Sequence, residues 1–350
     1  MENETNTEQA NETNTEQANE TNTEQAPGPV LIPVASGKGG VGKTFMVANL
    51  AIALAQLGKR VIAADLDFGG SNLYTHLGFD NRHPGIAHFI SSRDTRLEEL
   101  LVKTPFDGLW FLPGEARMPF LANMGHSHKQ KLLLNLTKLD ADYVLLDLGA
   151  GTSFTVLDFF SISTRGMLVT TLDYPSLINM LQFLKNFALR VVERALPPKS
   201  YLRTMVAEYI SDANISDRLT IRDLFHRLEA EYPDEAQRVQ ELWGTFRPHI
   251  VFNQGKHPDE MIVVENLQDS LAANLSLKVD FFGCVFHDDA VGTALQHKHP
   301  FLDMSADSPA AEDLYRLADR VIRLWDAPIR NSGQLLRSNT LKIYTDRQAE

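Results

Sequence analysis

The chain has 350 residues, 43% of them hydrophobic and 22% charged, with a formal net charge of −12. It is long enough for one large α/β domain or two small ones. No apolar run reaches the roughly 18 residues of a membrane span, and the N-terminus lacks the basic-then-apolar pattern of a signal peptide, so a cytoplasmic location is expected. Cys284 is the single cysteine, which excludes an intrachain disulfide framework and a paired-cysteine site for zinc or an iron–sulfur cluster; the acidic balance gives non-specific DNA binding no support.

Residues 3–26 are the octapeptide NETNTEQA three times over. Glutamates at positions 2, 4, 8, 12, 16, 20 and 24, with no Lys or Arg beside them, supply more than half of the net charge. The repeats hold no aliphatic residue beyond alanine and cannot bury enough surface to offset their ordering entropy. Disorder is therefore expected over 1–29, up to Pro27-Gly28-Pro29, with a bait segment for a partner as the functional alternative.

From residue 30, β-branched runs alternate with helical patterns, which implies a doubly wound, mostly parallel sheet wrapped by helices in one domain over 30–326. "VLIPVAS" (30–36) reads as the first strand, "FMVANLAIALAQLG" (45–58) as a helix closed by Gly58, and "RVIAADL" (60–66) as the second strand. Further strands are expected at 109–113, 143–148, 167–172, 249–253 and 279–286, and helices at 127–138, 175–195, 259–275 and 309–325. Residues 198–248 break the rhythm. Their periodicity around Pro233 predicts a two-helix insertion that either packs on the domain or docks a partner. The final segment, 327–350, reads as a tail: Leu335, Leu336, Leu341 and Ile343 do not keep helical spacing.

Between the first strand and its helix lies Gly37-Lys38-Gly39-Gly40-Val41-Gly42-Lys43-Thr44, which satisfies the phosphate-loop pattern G-x-x-x-x-G-K-[ST]. Glycines let backbone N–H groups turn toward phosphates, and the helix N-terminus adds partial positive charge. Lys43 is placed to bridge terminal phosphates and Thr44 to bind Mg²⁺.

The second lysine, Lys38, gives a K-G-G-x-G-K-T loop that resembles the deviant Walker A loop of the MinD/ParA ATPase family. "DLDFGGSNL" resembles that family's switch I, with Asp65, Asp67 and Asn72; "YVLLDLGAG" resembles its Walker B strand and switch II, with Asp147, Gly149 and Gly151. "IVFNQ" resembles the strand that ends in its adenine-reading asparagine, here Asn253, and Asp288-Asp289 the loop beside the base. Where the family usually has a glutamate–proline pair, this chain has Asp173-Tyr174-Pro175. The likeness covers about 30–195 and 247–326.

This resemblance implies an ATP- and Mg²⁺-dependent hydrolase that closes into a face-to-face homodimer. In it Lys38 reaches the partner's phosphates, Asp67 orients the attacking water, and Thr44, Asp65 and Asp147 serve the metal. By analogy with arginine fingers, a cation supplied in trans is worth about 10³–10⁵ in rate. The resemblance further implies a spatial regulator of flagellar or polar structures, of division or of cargo, with a protein activator or cargo adaptor and peripheral membrane attachment through the C-terminal segment. A nucleotide-gated adaptor working through 198–248 and a metallocluster-maturation ATPase are the alternatives.

Overall fold

In the computed structural model of the chain, residues 28–114, 124–211 and 220–349 are described; the NETNTEQA repeats lie outside them. The strands are β1 (Val30–Ala35), β2 (Val61–Leu66), β3 (Val102–Lys103), β4 (Leu109–Leu112), β5 (Tyr143–Leu148), β6 (Met167–Thr170), β7 (His249–Gly255) and β8 (Asp280–Phe286). They form one sheet in the order β3-β4-β2-β5-β1-β6-β7-β8, parallel throughout except for the antiparallel pair β3–β4. The doubly wound α/β sheet expected from the sequence is what forms. β3 has two residues and carries no periodic signal.

Period-two alternation sorts the side chains of each strand between two cores. In β1, Leu31 and Ala35 enter one and Ile32 and Val34 the other. Helix α1 (Lys43–Gln56) and the helix Pro309–Leu324 cover one face of the sheet. The helices Phe154–Phe160, Tyr174–Ala195 and Val263–Leu275 cover the opposite face. α1 is buried nearly all round, as a helix between two layers must be, and Gly58 in the left-handed region (φ 82°) lets the chain turn at its end. From β1 the chain winds outward to β2. From β5 it crosses β1 to β6. The C-terminal ends of β1 and β5 therefore border the point where strand order reverses, the place where open α/β sheets bind ligands.

Two segments differ from expectation. Residues 201–245 hold three helices among the described residues, Tyr201–Ser211, Ile221–Glu231 and Pro233–Thr245, rather than two. The first enters the core through Leu202 and Val206. Trp243, 1% exposed, packs against Phe187 and Phe246, and its Nε1–H donates to the Leu275 carbonyl at 2.9 Å, which ties these helices into the main core. The C-terminal segment is not a free tail. It is a helix, Ser332–Ala349, docked beside the edge strand β8. Its buried stripe, Ser332, Leu336 and Thr340, keeps a spacing of four, but two of the three residues are hydroxylic and so invisible to a count of apolar positions. The Phe281 N–H donates to Ser332 Oγ at 3.1 Å, and Arg347 reaches the buried Asp313 at 2.8 Å. Among the described residues no helix is long and apolar enough to cross a membrane.

Candidate nucleotide site

The loop between β1 and α1 is built by two glycines that tolerate no side chain. Gly42 caps α1 in the left-handed conformation (φ 84°), and a Cβ on it would meet Asn253 Nδ2 at 2.2 Å. A Cβ on Gly37 would fall 2.2 Å from the Asn179 carbonyl, on the first turns of the helix Tyr174–Ala195. The loop is thus clamped from both sides. The Asn253 amide donates to the Val41 carbonyl at 2.9 Å, so the residue expected to read a base also holds the loop. Gln254, next to it, adopts a left-handed conformation (φ 58°), a strained choice for a non-glycine residue that costs about 1 kcal/mol or more.

Lys43 is 6% exposed and ion-paired to Asp147, itself fully buried at the end of β5. Burial pushes the Asp147 carboxyl upward, opposed by the Lys43 ammonium and the Thr44 hydroxyl. Its second oxygen, Oδ2, is buried with no hydrogen-bond partner among the described residues. Asp65 is the neighbour of Asp147 in the β2–β5 register. Burial first, and the Asp147 charge second, push its carboxyl up to about 7. Asp65 accepts hydrogen bonds from the Asp67 N–H (3.1 Å), the Ser71 hydroxyl (2.6 Å) and the Leu73 N–H (3.2 Å), which makes it the organiser of the 67–73 segment.

Asp67 projects from that segment toward the loop after β5: a Cβ on Gly149 would lie 3.4 Å from its Oδ1. The Gly151 N–H donates to the Ser36 carbonyl at 3.0 Å, joining this second loop to the phosphate loop. Lys38 behaves differently from Lys43. Its side chain is 36% exposed and points away from its own loop, to Asp173 at 3.4 Å. Asp173 caps the helix Tyr174–Ala195. The Ser176 hydroxyl, then the Thr171 hydroxyl, hold its carboxyl well below the usual range, with Lys38 a lesser contributor.

A cavity of about 530 Å³ opens over the loop, lined by Gly39 to Phe45, Asp67, Asn72, Asn253 and the segment from Phe286 to Asp289. The structure thus brings Lys43, Thr44, Asp67, Asp147 and Asn253 to one site, while Lys38 stands at its rim. Sequence reading missed His76 and Gln254, which also line the cavity. Burial, then the Lys43 charge, pull the His76 imidazole down to about 4, so it is neutral at physiological pH. Its one sequence signal is its place four residues beyond Asn72, on the turn Leu73–His76.

The sequence profile described as "CobQ/CobB/MinD/ParA nucleotide binding domain" matches residues 32–301. The chain belongs to this family. Putative septum site-determining protein MinD of Guillardia theta is 36% identical over 145 residues, covering 40% of this chain and 52% of that protein. Septum site-determining protein MinD of Helicobacter pylori is 37% identical over 125 residues, 35% and 45% of the two chains. The chain thus spans about half the length of these curated relatives. Two solved structures share the fold. MinD of Pyrococcus horikoshii with Mg-ADP has a TM-score of 0.58 at 19% identity, covering 86% of this chain and 99% of that one. Apo McdA of Cyanothece has a TM-score of 0.54 at 13% identity, covering 84% and 99%. The matched span includes the loop at Gly37–Thr44.

Proposed function

We propose that this chain binds ATP with Mg²⁺ at Gly37–Thr44, hydrolyses it as a face-to-face homodimer, and uses the cycle to place a structure or cargo in the cell. The observation that carries the reading is the division of labour between two lysines. Lys43 is buried inside its own loop, paired with Asp147. Lys38 is half-exposed at the rim, held by one 3.4 Å contact to Asp173, and free to reach across an interface. A loop that needed only its own charge would have no use for the second.

The donor set fits a hard cation: the Thr44 hydroxyl lies beside Asp147, and the orphaned buried Asp147 Oδ2 is an oxygen in need of a partner. When bound, Mg²⁺ supplies electrostatic stabilisation to the phosphoryl oxygens. The chain's residues do the rest. The loop's backbone N–H groups and the α1 N-terminus cradle phosphate, and Lys43 exchanges its carboxylate for phosphate oxygens. Asp67, facing Gly149, orients a water. Asn253 and the segment from Phe286 to Asp289 border the base.

Light scattering on the wild type and on Asp67→Ala, each with Mg-ADP and Mg-ATP, tests this. The expected result is a doubling of mass for Asp67→Ala in ATP alone, abolished by adding Lys38→Ala. Mass that never responds to nucleotide sinks the dimer cycle.

A further inference from the structure

A second cleft, of about 700 Å³, opens between the helix Pro309–Leu324 and the C-terminal helix Ser332–Ala349, both of which pack on the edge strand β8. It shares no lining residue with the nucleotide cavity. Leu57, Leu317, Leu336 and Ile343 form apolar walls.

Cations and acids also line it, and most of them are taken. Asp313 is held by Arg347 at 2.8 Å and by Arg316 at 3.3 Å. Asp319 pairs with Arg323 at 2.7 Å. Arg320 stands apart. Among the described residues no carboxylate comes within salt-bridge distance of it, and its Nε is buried without a hydrogen-bond partner. Its guanidinium lies 5.3 Å from the centre of the Phe282 ring, a contact that attracts the charge but offers no hydrogen-bond acceptor. Asp280 acts on it only through space and is itself held by Arg247 at 2.6 and 2.7 Å. Burial pulls the Arg320 guanidinium below its ordinary range. Arg347 is buried too, yet Asp313 and Glu312 hold it above.

Lys342, exposed on the C-terminal helix, is the other cation on the cleft with no carboxylate in salt-bridge distance among the described residues. Asp346 is the one lining acid without a cation. A buried cation costs stability unless an anion meets it. The acids limit what that anion can be. A dianion such as phosphate would have to approach Asp313, Asp319 and Asp346, whereas a monoanion need only satisfy Arg320. A guanidinium fork matches the two oxygens of a carboxylate. The four apolar walls offer a place for a hydrocarbon chain, and a cleft of this volume is in the range that encloses small ligands.

We propose that this cleft binds a small amphipathic carboxylate, of the medium-chain fatty-acid kind, with its head group on Arg320, Lys342 at the exposed rim, and its chain along Leu57, Leu317, Leu336 and Ile343. The ligand bridges the helix Pro309–Leu324 to the C-terminal helix and adds to the clamp that Arg347 makes on Asp313. The inference stands apart from the hydrolysis reading, because a chain that hydrolysed nothing would still carry this cleft.

Calorimetric titration of the full chain with decanoate, kept below its micelle concentration, tests this. One molecule per chain should bind, at about 1 mM or tighter. Octanoate should bind about tenfold more weakly, because two methylenes leave the apolar walls. Decanol has the chain without the charge and should bind about tenfold more weakly or worse, and inorganic phosphate should not compete. Arg320→Met keeps the stem, removes the charge, and should lower decanoate affinity about tenfold or more. Without ligand it should melt no lower than wild type, and decanoate should raise the melt of wild type alone. Lys342→Glu, at an exposed position where folding is not at stake, should weaken decanoate about threefold.

Decanoate that binds Arg320→Met as tightly as wild type overturns the proposal, as does decanol that matches decanoate. No binding at all, or phosphate that displaces decanoate, overturns it as well. Should Arg320→Met fail to melt cooperatively, Lys342→Glu decides, and an unchanged affinity there is fatal. The proposal also falls if phosphatidylglycerol vesicles bind through Arg320 and Lys342 and decanoate fails to release them, because the surface then belongs to a membrane.

Discussion

Asp147 and Asp65 stand side by side at the ends of β5 and β2, with Lys43 as the nearby cation. Asp158, on the helix that follows β5, is met by Lys129, Arg190 and Arg194, of which Arg190 also pairs with Glu193. Both centres bury carboxylate from water, and they resolve the cost in opposite ways. The first is short of positive charge: burial raises both of its carboxyls, and one Asp147 oxygen has no partner among the described residues. The second has more cation than it needs. Lys129 and Arg190 hold its carboxyl below the usual range in spite of burial. A deficit of that kind is compatible with the metal and hydrolysis roles proposed for this site. A surplus suits a pin between helices.

The contrast breaks most visibly at Asp158. Asp158→Asn leaves three cations around a neutral amide and should cost about 3–5 kcal/mol in urea unfolding. A loss under about 1 kcal/mol would show that the cations find water instead and that the pin is decorative.

Acidification sharpens the comparison through sign. His249 is fully buried between Phe282 and Trp325, with Nε2 bonded to the Trp325 carbonyl at 3.0 Å. Burial lowers its pKa from 6.5 to about 4. Between those values the unfolded chain binds more protons, so His249 contributes stability that is present above pH 6.5 and lost as pH falls toward 4, about 3 kcal/mol in all. Asp65 runs the other way. Its folded pKa of about 7 lies above its unfolded 3.8, so the folded chain binds more protons in that window, and acidification relieves a penalty. The wild-type curve is therefore shallow. His249→Gln should leave the Asp65 gain uncovered, with the difference between the two proteins changing by about 3 kcal/mol from pH 7 to 4. A difference that stays flat across the window rules out a neutral buried His249.

The smallest effect on stability is expected at Asp147. Asp147→Asn keeps an oxygen near Lys43 and removes repulsion with Asp65, so unfolding should shift by under about 1 kcal/mol. The Mg²⁺ concentration needed for nucleotide binding should nevertheless rise about 10- to 100-fold, read from fluorescent-nucleotide titrations. An unchanged Mg²⁺ requirement would remove Asp147 from the proposed metal site.

The loop side of this comparison was legible in the sequence as a pattern. The phosphate-loop motif fixes the spacing of Gly37, Gly42, Lys43 and Thr44, and strand-end aspartates announce themselves by the apolar runs before them. Asp65 was legible as a residue but not as an organiser of the 67–73 loop, because Ser71 and Leu73 reach it only once that loop folds back. His76 gave no comparable pattern. Its place in the cavity comes from the packing of one short turn on α1.

The basic centre was not legible at all. Lys129, Asp158, Arg190, Arg194 and Arg203 belong to four helices and look, in sequence, like ordinary solvated charges. The C-terminal helix was misread for a related reason: its contact stripe uses Ser332 and Thr340, whose burial depends on a partner strand, β8, that lies some fifty residues earlier in the chain.

The sequence by itself determined the α/β class, the strand order's raw material and the phosphate loop, because hydrophobic period and loop chemistry are local properties written in consecutive residues. Tertiary structure alone decided which charges face one another. It set Lys38 against Asp173, left Asp147 Oδ2 without a hydrogen-bond partner among the described residues, and gathered Lys129, Arg190 and Arg194 around Asp158. Coulomb energy depends on distance and burial, and neither exists until the helices have packed.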